Sequence, residues 1–140
     1  MTRLNQVTYH EYEAGNCLAT CMACILEIDP QDLPRPPRAA IHEDAVWEHY
    51  SENLIAVLWQ EHDHRLYCIE PREGPPRGLA IASYWVQRPA EGVEGACHSV
   101  VVENGILIWD PNPIRRMAGE TYAIENLQDW LVLERKEELE

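Results

Sequence analysis

One stretch decides the fold of this chain: HSVVVENGILIWD, residues 98–110. Two β-prone runs flank Asn104-Gly105, and this dipeptide between such runs is a strong signal for a β-hairpin. We predict a three-residue loop, Glu103 to Gly105, with the glycine in the left-handed conformation. That register gives three cross-strand pairs on one face of the hairpin: Val102 with Ile106, Val100 with Ile108, and His98 with Asp110.

The last of these pairs can carry chemistry. Its Cβ atoms would lie about 5 Å apart, so that imidazole and carboxylate come within reach of a hydrogen bond. We expect a two-residue turn to set His98 against Pro111 instead and to separate His98 from Asp110. A buried histidine satisfied by a carboxylate is common in proteins, so the pair alone does not identify an active site.

A cysteine far upstream supplies the missing reactive group. Gly15-Asn16 precedes the run 17–28, whose apolar residues recur at helical spacing and which we predict to be a helix ended by Asp29-Pro30. Cys17 would then lie at the helix start, where unpaired backbone N–H groups and the helix dipole favour thiolate over thiol. Cys21 and Cys24, farther along the same stripe, are predicted to be core residues.

These residues suggest a set of catalytic roles. We predict that Cys17 is the nucleophile, that His98 is its base and that Asp110 orients His98, with Asn112 as the first substitute for Asp110. The backbone N–H of Cys17 is one candidate donor to the oxyanion, and an upstream side-chain amide is the other. Gln6 is preferred for that second position, and Asn5 is the alternative.

The order of four short motifs resembles papain-like cysteine peptidases. The motifs are Gln6, Gly15-Asn16-Cys17, His98-x-Val-Val-Val and Asp110-Pro111. The resemblance is nearest the branch of the bacteriocin leader peptidases that cut after double-glycine leaders, and it extends to small bacterial and phage proteins. It implies a papain-like fold and a thiol hydrolase that cleaves a peptide, isopeptide or related amide bond.

The remaining segments predict an α+β class in a single domain, 1–140, in which the nucleophile helix packs on an antiparallel sheet. A second helix is predicted at 42–60. Strands are predicted at 66–70, 79–87, 98–103, 106–110 and 130–134, followed by an acidic tail at about 135–140. The last strand has an alternative, because 127–139 also fits an amphipathic helix.

Composition restricts the partners. The chain has 11 basic and 24 acidic residues, a formal net charge of −13, and this charge repels nucleic acid. We expect a peptide or protein substrate, no cofactor and no membrane association, since no signal-peptide or membrane-spanning pattern is found. Five cysteines, an odd number, favour free thiols in a reducing cytoplasm. The oligomeric state is left open.

Two other groups of residues could bind a metal, but each has a simpler explanation. Cys17, Cys21 and Cys24 have the spacing of a cluster-binding motif and could bind zinc with His98 or Cys97, but a helical stripe is an unusual zinc site. The segment 61–64, Glu-His-Asp-His, is more simply a solvated loop than a metal site. Two functional alternatives remain: a catalytically silent papain-like scaffold that binds or inhibits a protein, and a transglutaminase-like acyl transfer by the same three residues.

Overall fold

A computed structural model describes residues 17–37, 43–88 and 93–139 of the chain. Its helices are α1 (Cys17–Leu26), α2 (Asp44–His62) and α3 (Pro113–Ala118), and its strands are β1 (His64–Ile69), β2 (Leu79–Arg88), β3 (Val93–Glu103), β4 (Ile106–Trp109) and β5 (Leu127–Arg135). Within this part of the chain the strands form one antiparallel sheet in the order β1-β5-β2-β3-β4. The predicted α+β class with an antiparallel sheet is confirmed.

The helices end where the backbone turns left-handed. Glu27 has φ 58°, and Ile28 donates its N–H to the carbonyl of Ala23, which closes α1 two residues before the predicted end. Asp63, with φ 56°, ends α2 in the same way. The final segment is a strand, as preferred, but it begins at Leu127 rather than at residue 130, and α3 was not predicted.

Two clusters of buried side chains cover the two faces of the sheet. One lies between the sheet and the helices α1 and α2; it joins Met22, Leu54, Leu58, Ile81 and Val101. The other lies on the opposite face and joins Ala80, Ala82, Val100, Val102 and Trp130. Neighbouring residues of β2 and β3 thus alternate between clusters, as the two-residue period of a strand requires.

The hairpin register differs from the predicted one. Asn104 and Gly105 have φ values of 52° and 83° and form a two-residue turn, which pairs Glu103 with Ile106. Such a turn matches the right-handed twist of the strands that it joins. The predicted ladder pairs are therefore wrong: Val102 with Ile106, Val100 with Ile108, and His98 with Asp110.

A β-bulge in β4 brings the side chains of His98 and Asp110 together although the predicted register is wrong. Val102 pairs with Leu107 but Val101 pairs with Trp109, so Ile108 is an extra residue in β4. The bulge places Leu107 and Trp109 on opposite faces of the sheet. The six side chains of the predicted pairs do not share one face, because Ile106 is opposite Glu103 and not Val102. Asp110 then follows the end of β4, and its carboxylate reaches His98 from outside the ladder. The expectation that a two-residue turn separates the pair is wrong for this reason.

The chain after β5 is attached to the sheet edge. Residues 136–139 form a 3₁₀ turn, the N–H of Lys136 donates to the carbonyl of Asp63, and the ammonium of Lys136 lies 4.3 Å from the ring centre of Trp59. Among the helices of the described ranges, none combines the length and apolar character needed to cross a bilayer.

Candidate active site

The first helix docks its opening turn on the backbone of β3. The N–H of Ser99 donates to Cys17 Sγ at 3.4 Å, and the Sγ–H of Cys21 donates to the carbonyl of Ser99 at 3.4 Å. β4 ends at Trp109, opposite Val101, and does not extend as far as Ser99. The N–H and the carbonyl of Ser99 therefore bond to the two cysteines of α1 instead of to a residue of β4. Cysteines one helical turn apart meet one residue of β3 because positions i and i+4 share a helix face.

Adjacent to this contact, His98 joins the thiol to a carboxylate. The Nε2 atom of His98 lies 2.7 Å from Asp110 Oδ1. Cys17 acts on the same ring, because a hydrogen bond from His98 to Cys17 and the charge of Cys17 both raise the pKa of His98. The three predicted residues therefore come together as sulfur, imidazole and carboxylate, although they are separated by most of the chain.

The carboxylate of Asp110 is held on both oxygens. Oδ1 also accepts the N–H of Asn112 at 2.9 Å, and Oδ2 accepts the hydroxyl of Tyr122 at 2.5 Å. The guanidinium of Arg116 donates to the backbone carbonyl of Asp110 at 3.0 Å. These bonds leave the carboxylate little freedom to rotate, which in turn fixes the plane of the His98 ring.

The site is closed to solvent. Relative exposure is 4% for Cys17, 0% for His98 and 3% for Asp110. Cys21 and Cys24 belong to the apolar cluster under α1, as predicted for core residues, whereas the described contacts of Cys17 are polar. The sulfur of Cys17 thus lies against an amide and an imidazole at the start of the helix.

Charge coupling within the site favours an ion pair. Burial lowers the pKa of His98, but hydrogen bonds to Asp110 and Cys17 and the charges of both partners outweigh it and raise the pKa from 6.5 to about 9. Burial raises the pKa of Asp110, and the bond and charge of His98 together with the bonds from Tyr122 and Asn112 bring it below its usual range. At neutral pH the imidazole is therefore protonated and the carboxylate ionised.

The neighbouring thiol is held in the opposite state. Burial raises the pKa of Cys21 well above its ordinary value, and the charges of Cys17, Cys24 and Asp110 raise it further. Cys21 is therefore a neutral thiol, suited to donating to the Ser99 carbonyl and unsuited to nucleophilic attack.

The remaining predicted residues have other placements. Asn112 is the N-cap of α3, and its side chain accepts hydrogen bonds from the N–H groups of Ile114 and Arg115. Its side-chain oxygen therefore bonds to the helix and not to His98. Gln6 and Asn5, the candidate oxyanion donors, lie outside the described residues. Cys17 is the first described residue of α1, and its N–H is the other predicted oxyanion donor.

Two contributors were not predicted. Ser99 acts through its backbone, which no side-chain motif reveals. Tyr122 lies in an irregular segment after α3, between a left-handed Gly119 and a 3₁₀ turn at Ile124–Asn126, without any hydrophobic period that would place it. The one local signal for the position of Tyr122 is Gly119, which follows Arg115-Arg116 and reverses the chain toward Asp110.

Metal binding finds no support among the described side chains, where no three His, Cys, Asp or Glu residues are grouped as ligands.

No family model matches the chain, and comparisons with curated proteins and with solved structures find no significant match.

Proposed function

We propose that this protein is a cysteine hydrolase that cleaves a peptide, isopeptide or related amide bond through a thioester intermediate. The observation that carries the proposal is the continuous hydrogen-bonded line from Cys17 through His98 to Asp110. A thiol, a histidine and an orienting carboxylate in this order constitute an activated sulfur nucleophile.

The chemistry follows from the protonation states. The Cys17 thiolate attacks the substrate carbonyl carbon, and the carbonyl π electrons move to oxygen to give a tetrahedral oxyanion. When the intermediate collapses, the carbon–nitrogen bond breaks and the His98 imidazolium gives its proton to the departing amine. His98 then removes a proton from water, hydroxide attacks the thioester, and the carbon–sulfur bond breaks to regenerate the thiolate beside the His98 imidazolium. The product leaves as a carboxylic acid and loses its proton to solvent.

The local structure supports the stabilisation of both charged species. The amide of Ser99 donates to the sulfur, which favours the thiolate before attack. The N–H of Cys17, the first described residue of α1, is the proposed first donor to the oxyanion, and the positive end of the helix dipole would support it. Gln6 remains the proposed second donor.

A papain-like arrangement is part of this proposal. The nucleophile begins a helix that packs on an antiparallel sheet, and the base lies on a strand of that sheet. This combination supports the resemblance carried by the four sequence motifs. Five free thiols support a reducing, cytoplasmic setting, and the charge of −13 favours neutral or basic peptide substrates over nucleic acid.

Cys17→Ala tests the proposal directly. Amide cleavage of a peptide and isopeptide panel, followed by mass spectrometry, should fall by about 10³-fold or more because the covalent step is lost. Cys68→Ala, which removes an exposed thiol on β1, is the matched control and should retain full activity. An added amine in the same assay would reveal acyl transfer as a transamidated product. Cleavage that survives in Cys17→Ala rules out the proposed nucleophile.

A second candidate is favoured by the low exposure of the site. A thiol that is 4% exposed beside a fully buried imidazole also suits a silent scaffold that binds another protein, because turnover requires an opening that admits substrate. Alkylation by iodoacetamide near pH 7 separates the two. A hydrolase thiolate reacts faster than the exposed Cys68, whereas a permanently closed scaffold reacts more slowly.

A further inference from the structure

The hydrogen-bonded line does not end at Asp110. Tyr122 donates its hydroxyl to Asp110 Oδ2, and its ring lies 5.7 Å from the His98 ring and 5.1 Å from the ring of Tyr84, with which it stacks at 20°. Tyr84 is in turn the cross-strand neighbour of His98. Tyr122 therefore touches two members of the candidate triad, one through its hydroxyl and the other through its ring.

The direction of the Tyr122 hydroxyl is determined by the next residue outward. Burial and Asp110 raise the pKa of Tyr122, and Arg115 lowers it through its charge and a hydrogen bond. A guanidinium carries donors but no acceptor, so Arg115 favours the orientation in which the Tyr122 hydrogen points to Asp110 Oδ2. An ionised carboxylate can only accept, so the polarity of every bond in this chain is consistent.

Arg115 is fixed from the solvent side. Its Nη1 atom lies 2.6 Å from Glu120 Oε2, and the N–H of Glu120 donates to the Arg115 carbonyl at 3.1 Å. Gly119, in the left-handed conformation with φ 68°, turns the chain after α3 so that both contacts form. Glu120 is 43% exposed, so the line runs from the surface to the buried thiol.

We propose that Tyr122 and Arg115 are positioning residues: Arg115 orients the Tyr122 hydroxyl, and Tyr122 holds Asp110 ionised and aligned with His98. In its catalytic consequence this inference rests on the proposed hydrolase function. The other groups that face Asp110 are His98 on β3, Cys17 and Cys21 on α1, and Arg116 on α3. None of these reaches Oδ2 in place of Tyr122 in the described contacts.

Tyr122→Phe tests the inference with a measurement that needs no substrate. A ¹³C NMR titration of the Asp110 carboxyl should show its midpoint move to higher pH, because the ionised form loses a donor. Arg115→Met should move the midpoint in the same direction by less, since the hydroxyl remains but is free to rotate. In the turnover assay, kcat of Tyr122→Phe should fall roughly tenfold with KM nearly unchanged, as expected for lost alignment.

Two matched controls separate positioning from stability. Tyr67→Phe removes a hydroxyl from an exposed side chain of β1, and Arg65→Met breaks an ion pair with Glu134 at the sheet edge opposite β4. Both should leave the Asp110 midpoint unchanged. If the Tyr122→Phe midpoint equals that of the wild type, the positioning role is overturned. If the midpoint moves while wild-type protein cleaves no amide, the proposed function fails and the positioning role stands.

Discussion

At the scale of single residues, the site depends on paired charges that are costly to bury alone. Asp110 is almost fully buried, yet donors from His98, Asn112 and Tyr122 surround its oxygens. Leaving one partner of such a pair without the other is strongly unfavourable, because an uncompensated charge remains in a poorly solvating interior. This requirement explains why the carboxylate and imidazole are found together even though the strand register does not pair them.

Asp110→Asn keeps the shape of the side chain and removes its charge. We expect turnover to fall by about 10²–10⁴-fold, because the amide neither stabilises the imidazolium nor selects the ring orientation. The variant should remain folded, with near-wild-type circular dichroism. Asp32→Asn, at an exposed position of the 3₁₀ turn Pro30–Asp32, is the control, and its loss of charge should leave turnover unaltered. Equal rates for Asp110→Asn and the wild type would assign the orienting role to another residue.

At the scale of elements, the hairpin β3–β4 positions the carboxylate through a turn and a bulge. The turn needs a glycine at position 105, where φ is 83° and an added Cβ would lie 2.5 Å from Pro75 Cβ. Pro75 belongs to the loop between β1 and β2, so the turn is wedged against a second segment. The bulge at Ile108 then delivers Asp110 past the strand end.

Gly105→Ala should destabilise the protein by about 2 kcal/mol or more. The strain of a left-handed backbone adds to the clash between the new Cβ and Pro75. Urea denaturation followed by tryptophan fluorescence measures the change. Gly119→Ala also has a left-handed backbone, with φ 68°, and open space around the added Cβ, so it carries the strain alone and should cost about 1 kcal/mol. Equal losses in the two variants would mean that the contact with Pro75 does not hold the turn.

The sequence predicted the elements that a hydrophobic period can reveal. The two long helices, the strands and the α+β class follow from apolar spacing. The hairpin signal at Asn104-Gly105 placed His98 near Asp110, but through a strand register that the structure does not have. The register was wrong because the dipeptide is compatible with loops of two or three residues, and neighbouring packing selects between them. The bulge, α3 and Tyr122 depend on contacts between segments far apart in the chain.

At the scale of the whole molecule, the buried ion pair makes stability depend on pH. The pKa of His98 rises from 6.5 to about 9 on folding, so its contribution is complete below pH 6.5 and is lost as pH rises through 9. The pKa of Asp110 falls on folding, so its contribution is present above its ordinary value near 3.8 and is lost as pH falls through the lower folded value. Both contributions are complete between about pH 4 and 6.5.

His98→Gln should remove the alkaline part of this dependence. Between pH 6.5 and 9.5 the free energy of unfolding of the wild type should fall by roughly 2–3 kcal/mol more than that of His98→Gln. The raised pKa of the buried Cys21 thiol lowers stability at alkaline pH in both proteins. His49→Gln, on the outer side of α2, is the control and should keep the wild-type slope. Urea titrations at half-unit pH steps measure both, and parallel curves for wild type and His98→Gln would remove His98 as the source.

By itself, the sequence determined α1, α2 and the five strands, and which side chains have the chemistry for nucleophilic attack, because helical and strand periods are local properties. Only the tertiary structure decided that sulfur, imidazole and carboxylate meet, that Ser99 receives the thiol and that Tyr122 and Arg115 extend the line to the surface. These contacts join segments that are distant in the chain, and their geometry depends on strand order, a bulge and the docking of α1. Packing of the complete domain selects that geometry, and no short window of residues contains it.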